Sequence, residues 1–132
     1  EAQWPLRLTL DVGSHVPLHC TASGKLFLAQ IPKKERDALI DQITLTRMTA
    51  NSITDPGKLR AECDAIAKRG YSSDREEFIA GLVAVAVPVL DAAGQVRAAI
   101  AVHAPTARMT MEDAVKRIGA LKEAAARMTG LL

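Results

Sequence analysis

The sequence predicts a single α+β layered domain, on three observations. Leu82 to Leu90 is a continuous apolar run rich in valine, and Val96 to His103 is its return strand, joined to it by Asp91-Ala92-Ala93-Gly94. Two such runs linked by a glycine-bearing turn read as a hairpin, whose strands are antiparallel. The segments on either side of the hairpin switch to helical period. The length, 132 residues, suits one domain with one core. Strand, helices, strands, helix is the order of an α+β layered fold.

Taken in order, Leu6-Arg7-Leu8-Thr9-Leu10 alternates apolar and polar residues, the period of a half-buried strand. Asp11 to Pro17, with Gly13, is a loop. A helix starts near Thr21, with Thr21 and Ser23 as capping side chains and Leu26, Phe27 and Ala29 giving the apolar pattern. The turn before it gathers free backbone N–H groups at the positive end of the helix dipole. A capped surface helix and a seat for a carboxylate both fit that turn. Pro32 starts a second, short helix with Ala38, Leu39 and Ile43 inward. Leu45 to Ile53 has no decisive period. Thr54-Asp55-Pro56 is a helix start, a capping side chain followed by proline at the first helical position. Leu59, Cys63 and Ile66 form the inner stripe of that helix, and Gly70 ends it. Tyr71 to Asp74 is extended, and Gly81 is a break before the hairpin. Thr110-Met111-Glu112-Asp113 reads as a capping box. It opens a final helix to Met128, with Met111, Val115, Ile118, Leu121, Ala125 and Met128 inward.

Composition removes several classes of function. The net charge of +2 carries no basic block, so nothing marks a nucleic-acid surface. Trp4, Phe27, Tyr71 and Phe78 are too scattered to stack bases. Cys20 and Cys63 form neither a C-x-x-C pair nor a disulfide framework, which points to a reducing cytoplasm. No apolar stretch is long enough for a membrane span, and no signal peptide is present. The chain opens at Glu1 without a methionine, so a preceding segment is expected. Phosphate-loop, dinucleotide, zinc-protease and serine-hydrolase motifs are all absent.

The hairpin has two unlike faces. With Leu90 opposite Gln95, Val89 meets Val96, Val87 meets Ala98, Val85 meets Ile100 and Val83 meets Val102, a branched face suited to lie under helices. The opposite face carries Ala84, Ala86, Pro88 and Leu90 against Arg97, Ala99, Ala101 and His103, with Ala84 beside Ala101. Four alanines leave room for either a closely seated helix or a ligand. His103, at a strand end on this face, is either a solvated residue or a ligand contact.

Among the polar residues, Asp74, Glu76 and Glu77 form a solvated turn or contain one inward acid, with Asp74 and Glu76 on one side of an extended run and Arg75 and Glu77 on the other. His15, His19, Cys20 and His103 are potential zinc ligands, but Gly13 and Pro17 break the helix that would align His15 with His19. No metal or cofactor is expected. His19 beside Cys20 is a poor nucleophile–base pair, since neighbours in a strand point apart.

Four motifs in order resemble the isocitrate-lyase-regulator (IclR) family of bacterial transcription factors. They are Pro17-Leu18-His19-Cys20-Thr21-Ala22-Ser23-Gly24-Lys25 with Leu28-Ala29; Thr54-Asp55-Pro56 with Leu59; Arg69-Gly70-Tyr71-Ser72 with Asp74-Arg75-Glu76-Glu77 and Gly81; and Ala86-Val87-Pro88-Val89-Leu90-Asp91. The resemblance runs from about Leu6 to Leu132. It implies that residues 1–132 are an effector-binding domain with a GAF/profilin-like antiparallel sheet, truncated at its N-terminus. The family's winged helix-turn-helix would lie outside this chain, and only that part would touch DNA. The resemblance further implies a non-enzymatic, cytoplasmic regulator, a repressor among its possible modes, working as a homodimer or tetramer on a small organic acid.

By the same resemblance the acid group of the effector rests on the amides of Ala22 and Ser23, and Asp74 reaches the ligand. Three polar positions of the family's organic-acid binders, a cysteine and two serines, fall on Ala84, Ala101 and His103. That departure makes the floor roomier and less polar, and suits an aromatic or longer acid. A GAF-like sensor domain of another signalling protein is the alternative.

Overall fold

The computed structural model describes residues 17–132. The strand expected at Leu6–Leu10, most of the Asp11–Pro17 loop and His15 lie outside the described residues. Three helices come first: α1 (Ala22–Gln30), α2 (Lys33–Gln42) and α3 (Pro56–Arg69). The strands β1 (Ser72–Arg75), β2 (Leu82–Leu90) and β3 (Val96–Pro105) follow, and α4 (Met111–Lys116) and α5 (Ile118–Thr129) close the chain. The sheet among the described residues is antiparallel in the order β1-β2-β3.

The expected starts of α1, α3 and α4 are present as hydrogen bonds, whereas α2 begins after Pro32 with no side-chain cap and buries Arg36 and Ile40 rather than Ala38, which is exposed. Thr21 caps α1 by accepting from the Gly24 N–H, and Asp55 caps α3 by accepting from the Lys58 N–H, with Pro56 in the first turn. Gly70 ends α3 at φ 85°, a backbone state that glycine takes without penalty. The Thr110–Asp113 capping box is complete. The helix it opens is not continuous, however. It breaks at Arg117, whose N–H turns back to Ala114 and Val115. The inward stripe becomes Ala114, Ile118, Leu121 and Ala125, and Met128, expected inward, stands 41% exposed near the end of α5. There the Thr129 hydroxyl donates to the Leu90 carbonyl instead.

The hairpin register differs from the expected one by two residues. Asp91 N–H closes on Gln95 O, and the Asp91 carboxylate accepts the N–H groups of Ala93 and Gln95, so the turn is one residue wider. That alone would invert every side chain of β3. A bulge between Val89 and Leu90 adds the second residue and restores the faces. Val89, Val87 and Val85 therefore oppose Ala98, Ile100 and Val102, and the two faces keep the residues read from the sequence.

The valine face packs on α4 and α5, and the alanine face on α1 and α3. Ala84 and Ala86 are fully buried with Ala22, Leu26 and Ala29 of α1. Small side chains let the helix settle closely on β2. Coverage thins toward β3, where Ala99 and Ala101 are only partly buried and His103 is exposed. Cys63 sits in this core as expected.

Candidate functional site

Antiparallel register lines up three of the expected residues. Asp74 pairs with Ala84, and Ala84 with His103, so one row crosses the alanine face from β1 to β3. The next row is Ser72, Ala86 and Ala101. The corrected register puts His103, not Ala101, beside Ala84. Ala22 and Ser23 open α1 above this face, where the first N–H groups of a helix have no partner within it. Thr21 takes the Gly24 N–H and donates its own hydroxyl to Pro17 O at 2.8 Å, which fixes the turn.

Asp74 overturns the solvated-turn reading. It is 2% exposed, and Glu77 is buried beside it. Alternation fails because Glu76 adopts φ 58° and ends the strand, so Asp74 and Glu77 turn inward together while the Glu76 carboxylate accepts the Gly81 N–H. Asp74 Oδ1 accepts the Glu77 N–H at 2.7 Å. Burial pushes the Asp74 pKa up to about 6, and the Glu77 carboxylate adds to the effect.

That shift predicts a pH dependence. An acid raised from 3.8 to about 6 binds its proton more tightly in the fold than in the unfolded chain. Its stabilising contribution is complete below about 4 and is lost as pH rises through 6, up to about 3 kcal/mol. His103, which desolvation holds below its usual value, works in the opposite sense. Asp64, lowered by its Arg36 bond, acts only at more acid pH. The test is therefore the difference between chains. Asp74→Asn should gain stability over wild type at pH 7.5 and little at pH 4 in urea titrations; an equal difference at both would refute the shift.

Behind Asp74 lies an ion cluster that sequence reasoning passed over. Lys25 is fully buried, with Nζ 2.7 Å from Glu77 Oε1 and 3.5 Å from Glu62 Oε2. Glu77 Oε2 accepts the Arg75 N–H, and Arg69 reaches Glu62 at 3.2 Å while stacking over Tyr71. The available signal was the single charged residue of α1, a lysine set among Leu26, Leu28 and Ala29. A cavity of about 440 Å³ adjoins the cluster, lined among others by Lys25, Glu62, Arg69, Ser73 and Glu77. None of the six expected site residues lines it. Most of its charges are already paired with each other, which leaves them little to offer a ligand.

The remaining candidates do other things. His19 is buried, with Nε2 2.7 Å from the Thr46 carbonyl. Cys20 is buried, and burial pushes its thiol up to about 11, the opposite of an activated nucleophile. Among the described residues no group of three or more metal-ligating side chains is gathered, and no helix is long and apolar enough to cross a membrane.

Fold and face together define a GAF-like α+β domain whose small-residue sheet face carries one buried acid. Residues 1–129 match the family described as "Bacterial transcriptional regulator IclR C-terminal". The Probable transcriptional regulator SauR of Cupriavidus necator is 44% identical over 128 residues, which is 97% of this chain and 51% of that protein. The Thermotoga maritima IclR structure has a TM-score of 0.88 at 33% identity, covering 100% of this chain and 53% of that one. The inducer-binding domain of Acinetobacter PobR, a double mutant complexed with 3-hydroxybenzoic acid, has a TM-score of 0.89 at 28% identity, covering 98% of this chain and 77% of that one. The chain belongs to the IclR family of bacterial transcriptional regulators. These relatives are regulators and not enzymes, and the chain spans about half the length of the curated ones.

Proposed function

We propose that this chain is the small-molecule sensing domain of a DNA-binding regulator, and that its effector is an organic acid, aromatic or longer rather than short. The observation that carries this is the row Asp74–Ala84–His103, a buried acid set in an alanine face beside the start of α1. In this reading the effector's carboxylate rests on the amides of Ala22 and Ser23. Asp74 accepts a hydroxyl or N–H from it, and Ala84 and Ala101 contact its ring or chain. His103 stands at the rim, on the β3 side where the face is least covered, and marks the way in. The hydroxybenzoic acid on the PobR domain is a ligand of the same chemistry.

In the same proposal a winged helix-turn-helix outside this chain contacts DNA. The whole protein works in the cytoplasm as a homodimer or tetramer, and the effector shifts the population of its states. The test is a thermal-shift screen of the 132-residue chain against short, hydroxy, keto and aromatic carboxylates. A binder at 100-fold over Kd should add roughly 2.7 kcal/mol of stability, and Asp74→Ala should abolish that gain. A chain whose melting no acid moves would sink the assignment.

A further inference from the structure

We propose that the Ser72 hydroxyl is a further contact of the effector, selecting acids that carry a second oxygen, a hydroxyl or carbonyl, on the ring or chain. The inference rests on the reading of the alanine face as the effector floor. Two buried side-chain polar atoms among the described residues have no hydrogen-bond partner, Arg60 Nε and Ser72 Oγ. Arg60 spends its guanidinium elsewhere, on Asp41. Ser72 has no such outlet and is 0% exposed.

Two other buried hydroxyls of the fold, those of Thr21 and Ser52, are each fully used. Thr21 Oγ1 both donates to Pro17 O and accepts from Gly24 N–H, and Ser52 Oγ donates to Glu77 O while accepting from Met48 and Thr49 N–H. A buried hydroxyl without a partner costs free energy unless something else pairs with it, and a bound ligand is one group that can supply the pairing.

Its position fits that role. Ser72 heads the row Ser72–Ala86–Ala101, directly beside the row Asp74–Ala84–His103 on the same face. Residues two apart on one strand face stand about 6.5 Å apart, roughly the width of a substituted ring. Ser72 and Asp74 thus bracket one side of the floor with polar groups, while the middle strand offers only Ala84 and Ala86. Asp74, when ionised, only accepts hydrogen bonds; a serine hydroxyl donates or accepts. The pair therefore suits a ligand hydroxyl that donates to Asp74 and accepts from Ser72. A ligand carbonyl would pair with Ser72 alone.

The test uses two probe pairs that differ only by that oxygen, 3-hydroxybenzoate against benzoate and pyruvate against propionate, titrated into wild type and Ser72→Ala. Wild type should bind the oxygenated member of at least one pair ten-fold or more tighter. Ser72→Ala should erase that preference, leave the plain acid's affinity within two-fold, and melt no lower than wild type without ligand, because it loses no internal hydrogen bond. A Ser72→Ala chain that melts lower and keeps the wild-type preference would show a structural hydroxyl and overturn the inference. A wild type that binds plain and oxygenated acids equally also overturns it, and leaves the floor assignment standing. A wild type that responds to none of the four probes overturns the floor assignment and the inference together.

Discussion

Lys25→Met is expected to destabilise the chain by about 3–5 kcal/mol, since removing one partner of a buried pair leaves the other charge uncompensated. Lys25 is fully buried, and the carboxylates of Glu77, just after β1, and of Glu62 on α3 converge on its Nζ. The stranded group is chiefly Glu77, whose side chain is 9% exposed; Glu62, at 24%, can turn to water. The double variant Lys25→Met/Glu77→Gln should recover most of the loss, because the amide oxygen can still accept the Arg75 N–H that Glu77 Oε2 accepts now. Urea titrations of the two single variants and the double variant measure the coupling directly. If the double variant is as unstable as the sum of the singles, the pair is not the source of the effect. The consequence also reaches the site, since Glu77 holds Asp74 through its backbone N–H.

Gly24→Ala should cost about 2–3 kcal/mol through overpacking, although alanine is the better helix former. A Cβ at Gly24 would lie 2.6 Å from Leu18 Cα, 2.7 Å from Leu18 O and 2.6 Å from Thr21 Oγ1. Two of these neighbours are backbone and the third is the cap of α1, so the turn from Pro17 to Thr21 has to move as a unit. That motion takes the amides of Ala22 and Ser23 with it, and the proposed acid response should vanish along with the stability. Gly119→Ala in α5 is the control. A Cβ there meets nothing within 4 Å, so the same substitution should stabilise by roughly 0.5–1 kcal/mol. Thermal melts of the two variants in opposite directions would establish close packing at Gly24; a neutral Gly24→Ala would disprove it.

Much of the architecture was legible because it is written in local chemistry. Thr21, Asp55-Pro56, Gly70 and the Thr110–Asp113 box fix helix ends through bonds within a few residues. The alternating faces of the hairpin survived even a wrong register, since a two-residue slip preserves parity. The break at Arg117 was not legible, because Val115 and Ile118 continue the helical stripe across it. Nor was the inward turn of Glu77, which depends on the left-handed backbone at Glu76.

By itself the sequence determined the fold class, the order of elements, the small-residue face and the turn that opens α1. Those follow from periodicity, capping and turn chemistry, which act over a few residues. Tertiary structure alone decided which polar groups meet. It placed Asp74 and His103 in one row, gathered Lys25 of α1, Glu62 of α3 and Glu77 after β1 around one buried charge, and left Ser72 Oγ without a partner. Those contacts join residues up to 52 positions apart. Burial sets their strength, and burial exists only once the helices have closed on the sheet.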